Sequence, residues 1–150
     1  MKIRTYSLLL ILSILSACAS GPPQKLQSDD KRACAQNFSY DGSFWSGRTF
    51  KTHDFVPGVT KIVAVERAAK DLAVQGWAIT NIDKELGIIT AEQTVSYGKG
   101  KTAPLNISID SKDSGVKVSV TFSISGGLTT PVNMVKDSFC DVIESVGGDK

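Results

Sequence analysis

The chain has 150 residues, of which 41% are hydrophobic, and 17 basic residues stand against 15 acidic ones. This is the composition of one globular domain of ordinary size. Two of the basic residues, Lys2 and Arg4, precede an apolar N-terminal run, and without them the formal charge is zero. A chain without a basic excess lacks the electrostatic footprint of a nucleic-acid-binding protein.

The N-terminus has the layout of a secretory signal. Lys2 and Arg4 are followed by apolar residues over 8–15, a run shorter than the roughly 20 residues that a membrane-spanning helix needs. The run ends in the motif LSAC at 15–18, which resembles the lipobox of bacterial lipoproteins. The resemblance implies that residues 1–17 are a signal peptide and that Cys18 becomes the lipidated first residue, with palmitate among its acyl chains.

The same resemblance suggests where the protein resides. Two or more lipid chains give stable attachment to a membrane, because each buried CH₂ contributes about 0.8 kcal/mol. Ala19 follows the cysteine, and in Gram-negative lipoproteins the absence of aspartate there favours the outer membrane. We therefore expect a lipid-anchored envelope protein, on the periplasmic face of the outer membrane if the cell is Gram-negative. Residues 18–33 are polar and predicted to form a flexible tether, and residues 34–150 a single domain.

Two cysteines remain once Cys18 is assigned to the lipid. In an exported chain such a pair predicts a disulfide between Cys34 and Cys140. Two free thiols, or burial of Cys140 as a small apolar side chain, are the alternatives. With one histidine and no C-x-x-C motif, the sequence predicts no metal site and no cofactor.

Aromatic residues are concentrated at the start of the predicted domain. Phe38, Tyr40, Phe44 and Trp45 lie within residues 34–47, and Phe50 follows closely. The rings could pack onto the domain as an extra strand or clamp, as large aromatic side chains usually do. The alternative is an exposed docking patch for a protein or a glycan.

The rest of the chain predicts five strands and two helices. The strands are expected at 48–55, 77–83, 87–95, 104–110 and 115–124, and alternation is clearest in the last two. A helix over 60–75 would direct Ile62, Val65, Ala69 and Leu72 inward and expose a Glu66–Lys70 pair. A final helix over 129–146 would bury a stripe through Phe139 and leave Lys136 on the solvent side; the stripe is Val132, Val135, Phe139, Ile143 and Val146.

The order of these elements is β-α-β-β-β-β-α. It predicts an α+β domain of the helix-grip or TBP-like kind. Such a domain would have an antiparallel sheet of about five strands with two helices packed on one face. The domain over residues 48–146 resembles those of BamC-like envelope lipoproteins. Within it, the segment ERAAKDLAVQGWAITNIDKELGIITAEQ at 66–93 resembles a helix–Gly–strand–Gly-Ile segment common among uncharacterised envelope lipoproteins. That resemblance bears on fold more than on function.

No catalytic arrangement is predicted. The loop GKGKT at 98–102 lacks the first glycine of a phosphate-binding loop, because Val95 occupies that position. His53 has no nucleophile motif beside it and is expected to be a surface or packed residue. We therefore expect a non-catalytic envelope lipoprotein that binds a protein partner as an accessory or stabilising subunit. The alternative is a module that binds a lipid or cell-wall fragment in a groove between sheet and helices.

Overall fold

The computed structural model describes residues 22–27, 29–96 and 100–148. Within these ranges the chain forms seven strands and three helices. The strands are β1 (Gln24–Lys25), β2 (Ser39–Ser43), β3 (Gly47–Pro57), β4 (Ala78–Asp83), β5 (Ile88–Thr94), β6 (Thr102–Lys112) and β7 (Gly115–Ile124). The helices are α1 (Ala33–Gln36), α2 (Lys61–Val74) and α3 (Val132–Gly147). The predicted signal peptide and Cys18, the predicted lipid attachment site, lie outside the described residues.

All seven strands form one antiparallel sheet in the order β1-β2-β3-β7-β6-β5-β4. The prediction of a helix-grip or TBP-like sheet of about five strands in the order β-α-β-β-β-β-α is therefore wrong. The additional elements β1, α1 and β2 lie in residues 22–43, where no regular alternation marks a strand. β1 has only two residues, both exposed, and exists because it pairs with β2. The sheet thus begins at Gln24, inside the predicted tether.

The hydrophobic core lies on one face of this sheet. Every second residue of β7 from Val116 to Ile124 is buried, as the alternation predicted. In the cross-strand row through Phe122, Phe50 of β3 lies on one side and Leu105 of β6 on the other. The rings of Phe50 and Phe122 stack with centroids 5.9 Å apart. The opposite face is polar and half-exposed, which is typical of an antiparallel sheet covered on one side.

Helix α2 buries the predicted Val65 and Leu72 and half-buries Ala69, but its buried face is rotated from the one predicted. Ala64, Val65, Ala68 and Leu72 are fully buried, whereas Ile62 is exposed. Small alanine side chains let α2 approach α3 and the sheet closely, so the contact face is rotated away from Ile62. The predicted Glu66–Lys70 pair is replaced by an ion pair of Glu66 with Lys84 in the β4–β5 turn, at 2.8 Å.

Helix α3 buries the predicted stripe but not only that stripe. Val135, Phe139, Ile143 and Val146 are buried, and so are neighbouring residues on a wider face. Lys136, expected on the solvent side, is also buried, which makes that prediction wrong. The reason is a neighbour that the pattern does not reveal, because the chain before α1 covers this side of the helix.

Some rings of the aromatic segment are packed into the domain, and others are exposed to solvent. Phe38 and Phe50 are buried and stack on each other with centroids 6.3 Å apart, and Tyr40 packs against Phe50 at 5.9 Å. Phe44 and Trp45 form the exposed turn between β2 and β3. Three rings therefore extend the core, and two face solvent.

Candidate functional site

A groove between the sheet and α3 is the candidate binding site. Its floor is formed by Phe122 of β7 and Phe139 of α3, and Trp77 stands over Phe122 with its ring edge-to-face at 5.6 Å. Val135 and the exposed Met134 continue the apolar wall along the first half of α3. This part of the groove has a volume of about 230 Å³.

The groove continues toward the loop that joins β7 to α3. Gln93, Phe122 and Thr130 line both parts, and Leu128 and Val95 contribute apolar surface to the second part, of about 290 Å³. Ligand sites in proteins are mostly apolar clefts of about 300–1,000 Å³, with a few polar groups that orient the ligand. The two parts together thus form an elongated cleft of suitable dimensions.

Polar groups border the apolar floor. Ser138 Oγ donates to Gln75 Oε1 at 2.8 Å, and Gln75 Nε2 in turn donates to Asp71 Oδ2 at 2.6 Å. This chain of hydrogen bonds holds the Gln75 side chain at the rim. Gln93 and Thr130 stand on the same border. The cleft therefore combines aromatic surface with amide and hydroxyl groups.

A larger depression, of about 810 Å³, lies beside β1 and the β2–β3 hairpin. Its lining contains no aromatic side chain and consists mainly of polar residues and prolines, including Asp41, Lys51 and Pro22. The smaller groove has the character of a ligand site because its floor is aromatic.

The predicted disulfide is present. Cys34 of α1 and Cys140 of α3 are bonded, with their Cα atoms 5.5 Å apart. Both cysteines are buried, and the backbone carbonyl of Cys34 accepts a hydrogen bond from Thr52 Oγ1 of β3. The bridge therefore joins α1, α3 and the sheet at one place.

An ion-pair network surrounds this junction. Arg32 Nη2 lies 2.7 Å from Asp30 Oδ2, and Lys136 Nζ lies 3.2 Å from the same oxygen. Arg32 also reaches three acidic residues of α3: Asp137, Asp141 and Glu144.

The network shifts the pKa values of Asp30 and Lys136. The hydrogen bonds from Arg32, with Lys136 adding to them, hold the pKa of the Asp30 carboxyl well below its usual range. Burial lowers the pKa of Lys136, but its hydrogen bonds with Asp137 and Asp30 outweigh burial and raise the pKa overall. Asp30, Arg32 and Lys136 are therefore all charged at neutral pH. Their ion pairs hold the N-terminal segment against α3.

The other residues considered from the sequence are not assembled into a site. His53 is exposed on the polar face of β3, and its backbone carbonyl accepts a hydrogen bond from Asn37. The GKGKT loop lies partly outside the described residues. Within residues 22–27, 29–96 and 100–148, no three histidine, cysteine or acidic side chains converge to hold a metal ion. Among the helices of these same ranges, none is both long and apolar enough to cross a membrane.

Sequence reasoning placed Val135 and Phe139 on the buried stripe of α3 but did not identify Trp77 or Met134 as groove residues. Trp77 directly follows Gly76, which ends α2, and Met134 interrupts the polar side of α3. An aromatic residue just after a helix-ending glycine is the one signal that could have indicated this corner, and it is weak. The groove lies where side chains of β5, β7 and α3 line one depression, an arrangement that no local pattern encodes.

The fold identifies a structural class. A seven-stranded antiparallel sheet with a C-terminal helix resembles a Bet v 1-like fold. The chain is similar to the crystal structure of Ara h 8.0201, with a TM-score of 0.50 and 12% sequence identity, over 67% of this chain and 94% of that one. At this identity the likeness concerns the fold alone. No family model matches the sequence, and no curated protein matches it. The resemblance to bacterial lipoproteins stays a prediction.

Proposed function

We propose that this protein is a non-catalytic binding module, anchored to the bacterial envelope by a lipid on Cys18, and that it takes a ligand in the groove between the sheet and α3. The observation that carries the proposal is the aromatic floor of Trp77, Phe122 and Phe139 beside a polar rim. A groove of this kind favours the ligand-binding alternative over the accessory subunit first expected from the sequence.

The chemistry of the groove suits an amphipathic ligand. Aromatic side chains offer flat apolar surface to an acyl chain or to the face of a sugar ring. The amides of Gln75 and Gln93 can hydrogen-bond a headgroup, a glycan hydroxyl or a peptide bond. A membrane lipid and a cell-wall fragment both have this combination, and a protein tethered to the envelope would meet both.

The test blocks the groove without disturbing the core. Gln93 is exposed on the groove side of β5, so Gln93→Trp should fill the cleft with an indole. Glu92 lies next to it on the opposite face of the sheet, and Glu92→Trp is the matched control. The lipidated protein, purified in mild detergent, is analysed by native mass spectrometry before and after addition of phospholipid or of muropeptides.

We expect one ligand class to bind the wild type and Glu92→Trp stoichiometrically and to bind Gln93→Trp weakly or not at all. Binding of phospholipid but not muropeptide would identify the lipid. Equal binding of either class to both variants, or no binding to the wild type, would contradict the groove as the site.

A second candidate is the accessory subunit that binds a protein partner. Ile62, Val63 and Leu86 are exposed where α2 begins and where β4 turns into β5. Lys61 Nζ donates to the Glu85 carbonyl and so joins these two elements. Exposed apolar residues on adjoining elements favour a docking surface.

The two candidates predict different effects of mutation. In a mild-detergent pull-down, a stoichiometric partner that is lost in Ile62→Asp but retained in Gln93→Trp would support the accessory subunit. A partner retained in Ile62→Asp would count against this surface.

A further inference from the structure

The turn between β2 and β3 displays two aromatic rings to solvent. Trp45 is 85% exposed and Phe44 is 41% exposed, and their rings meet edge-to-face at 5.1 Å. Residues 42–47 read GSFWSG and contain no charged side chain. An indole this exposed at an uncharged tip is unusual, because such rings normally contribute to a core or an interface.

Three backbone groups of this aromatic tip have partners within the protein. Ser43 N–H donates to Ser46 Oγ at 3.1 Å, and Ser46 N–H donates to Ser43 Oγ at 3.2 Å. The Phe44 carbonyl accepts from Gly127 N–H at 2.7 Å. These three groups keep their hydrogen bonds when the tip leaves water, which lowers the cost of its transfer.

The β7–α3 loop holds the tip in place. Gly126 passes so close to the Trp45 carbonyl that a Cβ at position 126 would collide with it. Gly47, which follows the tip, has a φ of +90°, a conformation that glycine adopts without strain. The two rings are therefore presented on a braced turn.

The start of the described chain lies at the same end of the sheet. β1 runs antiparallel to β2, with Gln24 opposite Tyr40, so residues before Gln24 continue toward the tip. Pro22 lines the same depression as Gly42 and Ser46. Four residue steps separate Pro22 from Cys18, a distance of at most about 14 Å even when fully extended. A lipid on Cys18 would thus hold this end of the sheet close to the membrane surface.

We propose that Phe44 and Trp45 insert into the interfacial region of the bilayer that holds the Cys18 lipid, and form a second membrane contact. The inference rests on the lipid anchor in the proposed function. Tryptophan favours the interface between water and hydrocarbon, where its ring is apolar and its N–H meets headgroups. With two contacts the domain keeps a fixed orientation on the membrane, whereas a lipid alone would let it rotate.

The experiment measures the depth of Trp45 in the bilayer. The lipidated protein is reconstituted into vesicles of phosphatidylethanolamine and phosphatidylglycerol, with or without phospholipids brominated in their acyl chains. Trp77→Phe leaves Trp45 as the only tryptophan of the mature chain. The control carries Trp45→Phe, Trp77→Phe and Leu86→Trp, which moves the single indole to the β4–β5 turn at the opposite edge of the sheet. If Trp77→Phe does not fold, the difference between wild type and Trp45→Phe gives the Trp45 emission.

We expect the Trp45 emission to shift to shorter wavelength in vesicles and to be lost to brominated lipid, while the Leu86→Trp emission keeps its aqueous wavelength and intensity. Protein that floats with the vesicles but whose Trp45 is quenched by acrylamide and not by brominated lipid overturns the tip contact and leaves the anchor standing. Trp45 shielded from both quenchers also overturns it, because a protein surface then covers the ring. A mass spectrum without acyl groups on Cys18 overturns the anchor and the tip contact together.

Discussion

Lys136 Nζ lies 3.2 Å from Asp30 Oδ2 and joins α3 to the chain segment before α1. Only 8% of the Lys136 side chain is exposed, so its charge depends on this carboxylate and on Asp137, at 3.1 Å. Arg32 Nη2 contacts the same Asp30 oxygen at 2.7 Å. The N-terminal segment is thus held on α3 by charge as well as by the Cys34–Cys140 disulfide.

Removal of the Lys136 ammonium group should lower stability. We expect Lys136→Ala to lower the melting temperature clearly and Lys136→Met to lower it less, because methionine keeps most of the buried stem. Lys70→Ala, at an exposed position of α2, is the control and should change little. Thermal unfolding followed by circular dichroism measures all three. A Lys136→Ala melt that matches Lys70→Ala would mean that the ion pair contributes nothing.

Asp30 should make the domain sensitive to acid. In the unfolded chain an aspartate has a pKa of about 3.9. The hydrogen bonds from Arg32, together with Lys136, hold the pKa of Asp30 below that value in the folded state. The stabilisation is therefore complete above the unfolded pKa and is lost as the pH falls toward the folded pKa.

We expect the melting temperature of the wild type to fall more steeply below about pH 4 than that of Asp30→Asn, because Asp30 then begins to protonate in the unfolded state. Melting curves recorded from neutral to strongly acidic pH give the comparison. Parallel pH profiles for the two proteins would be inconsistent with this role of Asp30.

The disulfide should contribute to stability chiefly through the unfolded chain. Cys34 and Cys140 are separated by 106 positions. A closed loop of about this length is worth up to about 4.7 kcal/mol in the chain-entropy model, and typical measured values are about 2–4 kcal/mol.

We expect reduction, or the pair Cys34→Ser and Cys140→Ser, to lower the free energy of unfolding in urea by an amount in that range. The double variant also controls for other effects of the reductant, because reductant should not change its free energy of unfolding. Equal unfolding free energies for oxidised and reduced wild type would refute the prediction.

The hairpin strands β6 and β7 could be predicted from the sequence, because the alternation of apolar and polar residues that marks a strand is a local pattern. Val116, Val118 and Val120 alternate with polar residues, and one covered face is enough to make that alternation visible. β1 could not be predicted, since Gln24 and Lys25 carry no strand signal and are ordered by pairing with β2. The fold class was wrong because neither β1 nor β2 was predicted.

Side-chain exposure was predicted less well where distant segments meet. Ile62 was assigned inward by hydrophobicity, but close helix packing selects the smaller Ala64 and Ala68. Lys136 was assigned outward, although its partner Asp30 lies 106 residues earlier and covers it. A groove and an exposed aromatic patch were alternatives from the sequence, but the residues that line the groove and the exposure of Trp45 were not predictable, because both depend on how the β7–α3 loop and α3 lie on the sheet.

Phe139 offers the sharpest test of how α3 docks. It is buried, its ring meets Phe38 edge-to-face at 6.1 Å, and it forms part of the groove floor with Phe122. The ring contact with Phe38 shows how the aromatic segment enters the core. Truncation of a buried phenylalanine to alanine costs about 3–5 kcal/mol, out of the roughly 5–15 kcal/mol that stabilise a domain.

We therefore expect Phe139→Ala to unfold the domain largely or to lower its melting temperature steeply, because the cavity would open between α3, Phe38 and the sheet. Phe139→Leu keeps most of the volume and should lose less. Asn133→Ala, at an exposed position of the same helix, is the control and should melt close to the wild type. Circular dichroism of chains that begin after Cys18 gives the comparison. If Phe139→Ala melted like Asn133→Ala, α3 would not be packed through this ring, and the groove could not have the floor described for it.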